Sequence, residues 1–228
     1  MSSAVSAATA STFAFDDIFS EGVRWFHTGG VFAGLSDTTP DAATAAMKAA
    51  REAGAFVSYD LNYRDSLWGK RGGREAANAV NKRLLSFADV VFGAFDAETD
   101  LDKFDEKSFA AAAKAMTAEF PNLKMVVSTL RTIRDAGRHG LGGVCYASGE
   151  LTTAAALTDV DVFDRVGSGD AFAAGFIYGM LAGKEKQFAL DCGTALGTLA
   201  MTTAGDVAAV TADEVFALMN GGDAAAKR

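Results

Sequence analysis

The stretch FDRVGSGDAF, residues 163–172, decides how the rest of the chain is interpreted. Two glycines flank a serine, an aspartate follows at once, and the apolar run AFAAGFIYGML comes next. The run predicts a helix over Ala171–Leu181. The glycines then lie at the start of this helix, where backbone N–H groups have no partner inside the helix.

Two interpretations of this glycine turn follow from its residues. Glycine lets the backbone come close to a ligand, so the amides of Gly167, Ser168 and Gly169 can form a nest of donors for an anion. Asp170 follows directly and can take a proton from an attacking hydroxyl. The alternative is an ordinary helix start that Ser168 or Asp170 caps. The turn alone does not decide between them.

Composition limits the classes of protein to consider. The chain has 228 residues, of which 50% are hydrophobic, and a net charge of −8. Such an acidic chain is a poor partner for nucleic acid or an anionic membrane. Its two cysteines are far apart, which fits a reducing compartment. No apolar run is long enough to cross a membrane, and the first residues lack the basic start of a signal peptide. We therefore expect a cytoplasmic protein.

Strands and helices alternate along the sequence, which predicts an α/β fold. The expected architecture is a three-layer α/β/α sandwich with a mostly parallel sheet. We expect a disordered start over 1–18 and a single domain over 19–228. Strands are predicted at 23–30, 55–62, 89–94 and 123–130, with a hairpin over 142–156 that turns at Ser148–Gly149; helices are predicted at 39–54, 72–88, 106–122, 171–181, 188–205 and 211–220. The segment DAGRHGLGG around His139 is predicted to be a flexible basic loop.

A second polar stretch, YDLNYRDSLW at residues 59–68, follows a predicted strand. Asp60, Asn62 and Arg64 are spaced so that their side chains share one side of an extended segment. An arginine fork matches a carboxylate, and asparagine both donates to and accepts from hydroxyls. The stretch therefore suits a small acidic sugar. The alternative is a surface ion pair of Arg64 with Asp60 or Asp65.

Together the two stretches resemble the ribokinase-like (PfkB-type) carbohydrate kinases. The turn is similar to that family's G-A/S-G-D signature with A-F-x-x-G-F after it. DLNYRDSLW, with RWFHTGG upstream, resembles the 2-keto-3-deoxygluconate kinase branch, as do STLR at 128–131 and the later GGVCYASGE. The resemblance covers about Phe19 to Met219.

The resemblance implies an ATP-dependent kinase that phosphorylates 2-keto-3-deoxygluconate, or a similar sugar acid, on a primary hydroxyl. Asp170 is the implied catalytic base, the amides of Gly167, Ser168 and Gly169 the anion hole, and Arg64 the residue that faces the carboxylate. ATP, Mg²⁺ and a monovalent cation are the implied cofactors. The residues implied for substrate are Asp60, Asn62, Arg64 and Asp170; for nucleotide, Ser128, Thr129, Arg131, Gly169 and Gly193; and for metal, Asp164, Asp96 and Glu98.

The sequence also departs from the family pattern. The family's first strand, its G-G-x-x-N-x-A sugar motif and its lid strands have no counterpart here, and AFDAET stands where N-x-x-E is expected. A sheet without those strands exposes an apolar edge, so we expect a homo-oligomer that covers it. A second hypothesis is therefore an inactive fragment that binds nucleotide, an anion or a partner chain without turnover. A third is a kinase for a neutral sugar or nucleoside, against which Arg64 argues.

Overall fold

Helices and strands alternate throughout the computed structural model, which describes residues 4–222. The strands are β1 (Trp25–Gly29), β2 (Phe56–Asp60), β3 (Val90–Phe92), β4 (Met125–Asp135), β5 (Arg138–Ala147) and β6 (Glu150–Asp161). The helices are a 3₁₀ turn (Ala4–Ala7), α1 (Phe15–Phe19), α2 (Gly30–Ala33), α3 (Thr39–Glu52), α4 (Asp65–Trp68), α5 (Gly73–Leu85), α6 (Glu106–Glu119), α7 (Ser168–Leu181), α8 (Lys186–Met201) and α9 (Ala212–Met219).

The six strands form one sheet in the order β1-β2-β3-β4-β5-β6. β1, β2 and β3 pair in parallel, whereas β5 and β6 are antiparallel. The predicted α/β class with a mostly parallel sheet is confirmed. Within residues 4–222, no helix is both long and apolar enough to cross a membrane.

The described chain divides into two compact units. Unit 1 contains the residues up to Phe95 together with Ala113–Val126, and unit 2 contains Asp96–Ala112 and the residues from Val127 onward. Residues 1–3 of the predicted disordered start, and residues 223–228 of the predicted domain, lie outside the described residues.

In unit 1, β2 lies between β1 and β3, and α3 packs against β1 and β2. Helix α3 buries small side chains at helical spacing, which lets it approach the sheet closely. These are Ala42, Ala43, Ala46 and Ala50, and the larger Met47 is buried beside them. The buried Asp89 carboxylate accepts a hydrogen bond from the Val57 amide at 3.0 Å and pairs with Lys124 at 3.0 Å. The sheet of unit 1 is therefore tied together by one carboxylate as well as by apolar packing.

In unit 2, the predicted hairpin is confirmed as β5 and β6. Its turn consists of Ser148 and Gly149, both with positive φ (54° and 84°), as a tight two-residue hairpin loop requires. Helices α7 and α8 cross closely because glycines replace larger side chains at their contact; a Cβ on Gly179 would lie 2.5 Å from the Ala189 Cα. Helix α9 begins at a capping box of Thr211 and Glu214.

The prediction of a flexible loop around His139 is wrong. β4 continues to Asp135 and β5 begins at Arg138, so His139 lies within the sheet opposite Val160, and it is only 2% exposed. Glycine disfavours strands in general, and three glycines follow His139 closely. Here they make room for neighbours; a Cβ on Gly140 would lie 2.9 Å from Thr132 Cγ2, and one on Gly143 would lie 2.8 Å from Thr194 Oγ1.

Candidate active site

Helix α7 begins three residues before its predicted start, within the glycine turn itself. Gly167 is the residue before the first helical turn, with φ 80° and ψ −7°, and no side chain caps the helix. The Gly167 carbonyl accepts the first helical hydrogen bond from the Ala171 amide at 2.8 Å. The alternative that Ser168 or Asp170 caps the helix is therefore wrong.

The two glycines of the turn have different surroundings. A Cβ on Gly167 would collide with the backbone carbonyl of Asp206, and its positive φ also disfavours any other residue. A Cβ on Gly169 would meet no atom within 4 Å. Gly169 and Asp170 are both exposed. Gly167 is thus required by the fold, whereas the space beside Gly169 and Asp170 is open to a ligand.

The segment before the turn is held by backbone hydrogen bonds to the end of α8. The amides of Phe163 and Asp164 both donate to the Met201 carbonyl, at 2.8 and 3.2 Å. The Asp164 carboxylate accepts a hydrogen bond from the Val166 amide at 2.9 Å. These contacts fix the entry of the chain into the turn before any ligand is bound.

Arg131 is the side chain that the structure brings to the glycine turn. Its Nη2 donates to Ser168 Oγ at 2.7 Å, and its backbone pairs with Thr99 and Leu101. The Nε atom of Arg131 is buried and has no hydrogen-bond partner among the described residues. Burial and the nearby charge of Arg165 lower the pKa of Arg131. Of the residues predicted to bind nucleotide, Arg131 is thus the one with a side-chain bond to the turn.

His139 is a member of the same neighbourhood that sequence reasoning missed. It is buried, and its Nδ1 has no hydrogen-bond partner within the described part of the chain. Burial, followed by the charges of Arg131 and Arg165, lowers the pKa of His139. The glycines that follow His139 are typical of a loop rather than of a strand, so no local pattern in the sequence predicted a buried imidazole.

The remaining residues predicted to bind nucleotide lie on β4 and α8. Ser128 is buried and donates to the Thr129 carbonyl at 3.1 Å, while Thr129 is half-buried. Gly193 faces α7, where a Cβ would lie 2.7 Å from the Phe172 carbonyl oxygen. The structure therefore gives Gly193 a packing role that the sequence did not indicate, and its nucleotide contact stays a prediction.

In unit 1, the Asp60–Arg64 segment is not extended as predicted. β2 ends at Asp60, and Asn62 has φ 27°. The Asp60 carboxylate accepts a hydrogen bond from the Asn62 amide at 3.0 Å, which turns the chain. The prediction that alternation places these side chains on one side is therefore wrong, because alternation needs a strand that has already ended.

Arg64 precedes α4 with its side chain exposed. Within residues 4–222 it forms no ion pair, so the alternative of a surface pair with Asp60 or Asp65 is wrong. The Asp65 carboxylate instead accepts a hydrogen bond from the Tyr63 hydroxyl at 3.1 Å. The Arg64 guanidinium is therefore available to a carboxylate from solution.

Close packing holds the backbone of the loop that carries Arg64. A Cβ on Gly30 would collide with the Leu61 carbonyl oxygen. Trp68 is buried, and Arg71 lies over its ring at 5.0 Å while donating to the Ser36 carbonyl at 2.8 Å. The backbone of the loop is fixed in this way, whereas no contact among the described residues fixes the exposed Arg64 side chain.

The residues predicted to bind metal do not form a cage by themselves. Asp96 has φ 56°, and the Glu98 carboxylate accepts a hydrogen bond from the Asp100 amide at 2.9 Å. Nowhere in residues 4–222 do three or more histidine, cysteine, aspartate or glutamate side chains form a group able to hold a metal ion. Contacts of Asp96, Glu98 and Asp164 with a metal stay predictions.

Comparisons with known proteins identify the family. Residues 26–213 match the model of the pfkB family carbohydrate kinases. The 2-dehydro-3-deoxygalactonokinase of Haloferax volcanii is 32% identical over 205 residues, which are 89% of this chain and 59% of the relative. The ATP-dependent ribose-1-phosphate kinase of Halopiger xanaduensis is 31% identical, over 82% of this chain and 53% of the relative.

Among solved structures, 2-dehydro-3-deoxygluconokinase from Thermotoga maritima superposes with a TM-score of 0.85 and 30% identity. The match covers 96% of this chain and 66% of the Thermotoga protein. The chain thus spans less than two thirds of these relatives' own length. Since the family model matches most of its residues, the chain belongs to the pfkB family of carbohydrate kinases.

Proposed function

We propose that the protein transfers the γ-phosphoryl group of ATP to a primary hydroxyl of a 2-keto-3-deoxy sugar acid. The observation that carries this proposal is the start of α7, which no side chain caps and where Gly169 and Asp170 are both exposed. The names of the Haloferax and Thermotoga relatives support the substrate class, and that of the Halopiger relative supports ATP.

In the proposed step, Asp170 accepts the proton of the sugar hydroxyl as its oxygen attacks the γ-phosphorus. The bond between the γ-phosphorus and the bridging oxygen breaks, and ADP leaves with that oxygen. The amides of Gly167, Ser168 and Gly169 donate to the phosphoryl oxygens, on which negative charge is carried in the transition state. No covalent intermediate on the protein is needed.

For the sugar acid, we propose that Arg64 binds the carboxylate and that Asp60 and Asn62 contact its hydroxyls. The guanidinium is exposed and without an ion pair among the described residues, and an arginine fork binds a carboxylate through two parallel hydrogen bonds. A neutral sugar would leave this charge unused. The acidic substrate class is therefore favoured over a neutral sugar or nucleoside.

Mg²⁺ would neutralise charge on the ATP phosphates, as it does in phosphoryl transfer generally. Because the described residues hold no group of three or more metal-ligating side chains, the phosphates themselves would supply several of its ligands. Asp96, Glu98 and Asp164 are the proposed carboxylates near bound cations. Ser128, Thr129, Arg131, Gly169 and Gly193 are the proposed nucleotide contacts.

The test is Asp170→Asn, with Asp213→Asn as the matched control. Asp213 is also an acidic residue in the first turn of a helix of unit 2, so both changes remove the same charge from the same kind of position. We expect Asp170→Asn to lower kcat by about 10²–10⁴-fold, as expected when a general base is lost. The control is expected to retain wild-type turnover. An active wild-type enzyme whose Asp170→Asn variant keeps its kcat would refute the proposed base.

The second candidate function is binding of nucleotide without turnover. Titration calorimetry separates the candidates: ATP binding with neither sugar-acid binding nor ADP release supports this second function.

We also propose that a second copy covers the sheet edge of the chain, which sedimentation of the purified protein tests directly.

A further inference from the structure

A groove of about 780 Å³ lies in unit 2, at the end of α7 that is far from the glycine turn. It is lined by the last turns of α7 and α9 and by the first two turns of α8. Tyr178 in this groove comes after Asp170 on the same helix, about 12 Å further along its axis. The groove is therefore separate from the site proposed for phosphoryl transfer, and its size is typical of sites for small molecules.

Three aromatic rings line this groove. The centroid of the Phe216 ring lies 6.3 Å from that of Tyr178 and 6.0 Å from that of Phe188. Tyr178 is 49% exposed, and Phe188 and Phe216 are half-buried, so part of each side chain is open to solvent. Because the face of an aromatic ring carries partial negative charge, it attracts a cation. The groove thus offers several ring surfaces to a positively charged ligand.

A lysine of the chain itself already lies over one of these rings. The Nζ atom of Lys184 is 5.7 Å from the centroid of the Phe188 ring, within the range of cation–π attraction. Lys184 is exposed and forms no ion pair within residues 4–222. The ring face, rather than a carboxylate of the described chain, is therefore what attracts its ammonium group.

Asp191 adds a carboxylate without a counterion to the same groove. Its Oδ1 accepts a hydrogen bond from Gln187 Nε2 at 2.9 Å, and no cationic side chain in the described part of the chain pairs with it. Burial raises the pKa of Asp191, although the bond from Gln187 opposes this shift. A partly buried carboxylate is costly unless a cation neutralises it. A ligand with positive charge would offset that cost.

We propose that the groove binds a small organic ammonium ion, whose charged head lies between the three rings and Asp191. This site goes beyond the proposed kinase function and does not depend on it. An anion is disfavoured, because the side chains of Glu185 and Asp191 both line the groove. Methyl groups on the ligand nitrogen would pack against the rings, as in other sites that bind quaternary ammonium ions. Lys184 then competes with the ligand for the Phe188 ring.

The test uses choline as the probe and dimethylbutanol, in which carbon replaces the charged nitrogen, as the matched control ligand. Binding to the full chain is measured by calorimetry, with sodium chloride balancing choline chloride so that ionic strength stays constant. We expect choline to bind at least about tenfold more tightly, since the ring faces and the carboxylate attract only the charged ligand. Equal affinities would show an apolar groove without cation recognition and would overturn the proposal, as would the absence of choline binding at millimolar concentration.

Two substitutions remove the groups that attract the cation. Phe216→Leu keeps an apolar side chain without the ring, and Asp191→Asn keeps an acceptor for Gln187 without the charge. We expect each to weaken choline binding by about three- to tenfold. Phe163→Leu and Asp213→Asn remove an exposed ring and an exposed carboxylate of unit 2 outside the groove, so they should keep wild-type affinity. Wild-type choline affinity in both groove variants would place the binding elsewhere and overturn the proposal.

Lys184→Gln is expected to have an effect of the opposite sign. Since a competing ammonium group is lost from the Phe188 ring, choline should bind as tightly as to wild type or up to about tenfold more tightly. Weaker binding would show that the lysine supports the ligand instead of competing with it, which contradicts the proposed arrangement. If Phe216→Leu does not fold, Tyr178→Leu carries the same prediction, because the Tyr178 side chain is 49% exposed and its loss disturbs the core less.

Discussion

The glycine turn at 164–170 and the polar loop at 60–68 have similar positions in the fold but present different groups to solvent. Each follows a strand and leads into a helix, and each depends on a glycine that faces a backbone carbonyl, Gly167 against Asp206 and Gly30 against Leu61. The turn then presents backbone amides, whose positions the fold fixes. The loop presents the exposed side chain of Arg64, to which no described contact gives a single position. Rigid donors suit a transition state, and an adaptable side chain suits ground-state recognition.

The largest effect on stability is expected from Gly167→Ala. Its φ of 80° costs an alanine about 1–3 kcal/mol, and the new methyl group also meets the Asp206 carbonyl. Urea unfolding should show a loss of at least that size. Gly169→Ala is the matched control, because its methyl group meets nothing within 4 Å. We expect the control to keep wild-type stability, so that any loss of its phosphate affinity reports on the ligand space alone. Equal stability of both variants would contradict the assigned role of Gly167.

Gly30→Ala is expected to have the next largest effect. No positive φ is involved, so the penalty is steric and arises where the methyl group meets the Leu61 carbonyl. Overpacking of this kind costs about 1–3 kcal/mol, and the adjoining loop must shift to relieve it. Gly54→Ala tests the opposite case, since Gly54 has φ 82° and open space around it. A Gly30→Ala variant with native stability would show that the Leu61 backbone is not held as described.

The pH dependence of stability is expected to report on the buried imidazole of His139 on β5. Because the pKa of His139 is lowered in the folded protein, the unfolded chain takes up a proton near its ordinary pKa of about 6.5 while the folded chain does not. Stability should therefore fall as pH falls below that value, by at most about 1.4 kcal/mol per pH unit until the folded pKa is reached.

Urea unfolding between about pH 5 and pH 7.5, which spans the ordinary histidine range, measures this slope. His139→Leu should remove the contribution of His139. Arg165→Gln should narrow its pH window, because one of the charges that lower the pKa is lost. The same slope in wild type and His139→Leu would show that His139 does not titrate as described.

The two regions also show how far a sequence predicts a site. The anion-binding interpretation of Gly167–Asp170 depended on the local backbone, because the conformational needs of glycine and of helix ends act over a few residues, and it stays a prediction. The burial of His139 and its exposure to the charge of Arg131 could not be predicted in this way. They arise from pairing of distant strand residues, and the intervening glycines resemble a loop.

The prediction that Asp60, Asn62 and Arg64 share one side of an extended segment was wrong for a related reason. Alternation assumes that the strand continues, but the Asp60 side chain bonds to the Asn62 amide and ends it. An aspartate at a strand end can serve the backbone or a ligand, and the sequence does not say which. Conversely, the Thr211 cap and the Ser148–Gly149 turn were predictable because their bonds are local.

Arg64→Ala is expected to have the smallest effect on stability and a clear effect on substrate recognition. An exposed side chain without an ion pair in the described chain contributes within about 0.5 kcal/mol to folding. A charge-assisted pair with a carboxylate contributes about 1.5–3 kcal/mol, so we expect KM for a 2-keto-3-deoxy sugar acid to rise about 10–100-fold. Arg74→Ala, which removes from α5 a guanidinium that lies over the Tyr63 ring, is the matched control for charge beside this loop. The KM for a neutral sugar of the same size should be similar in all three proteins. If Arg64→Ala raises KM equally for acidic and neutral sugars, the loop does not recognise a carboxylate. The comparison in which the loop binds the substrate and the turn stabilises the transition state would then be wrong.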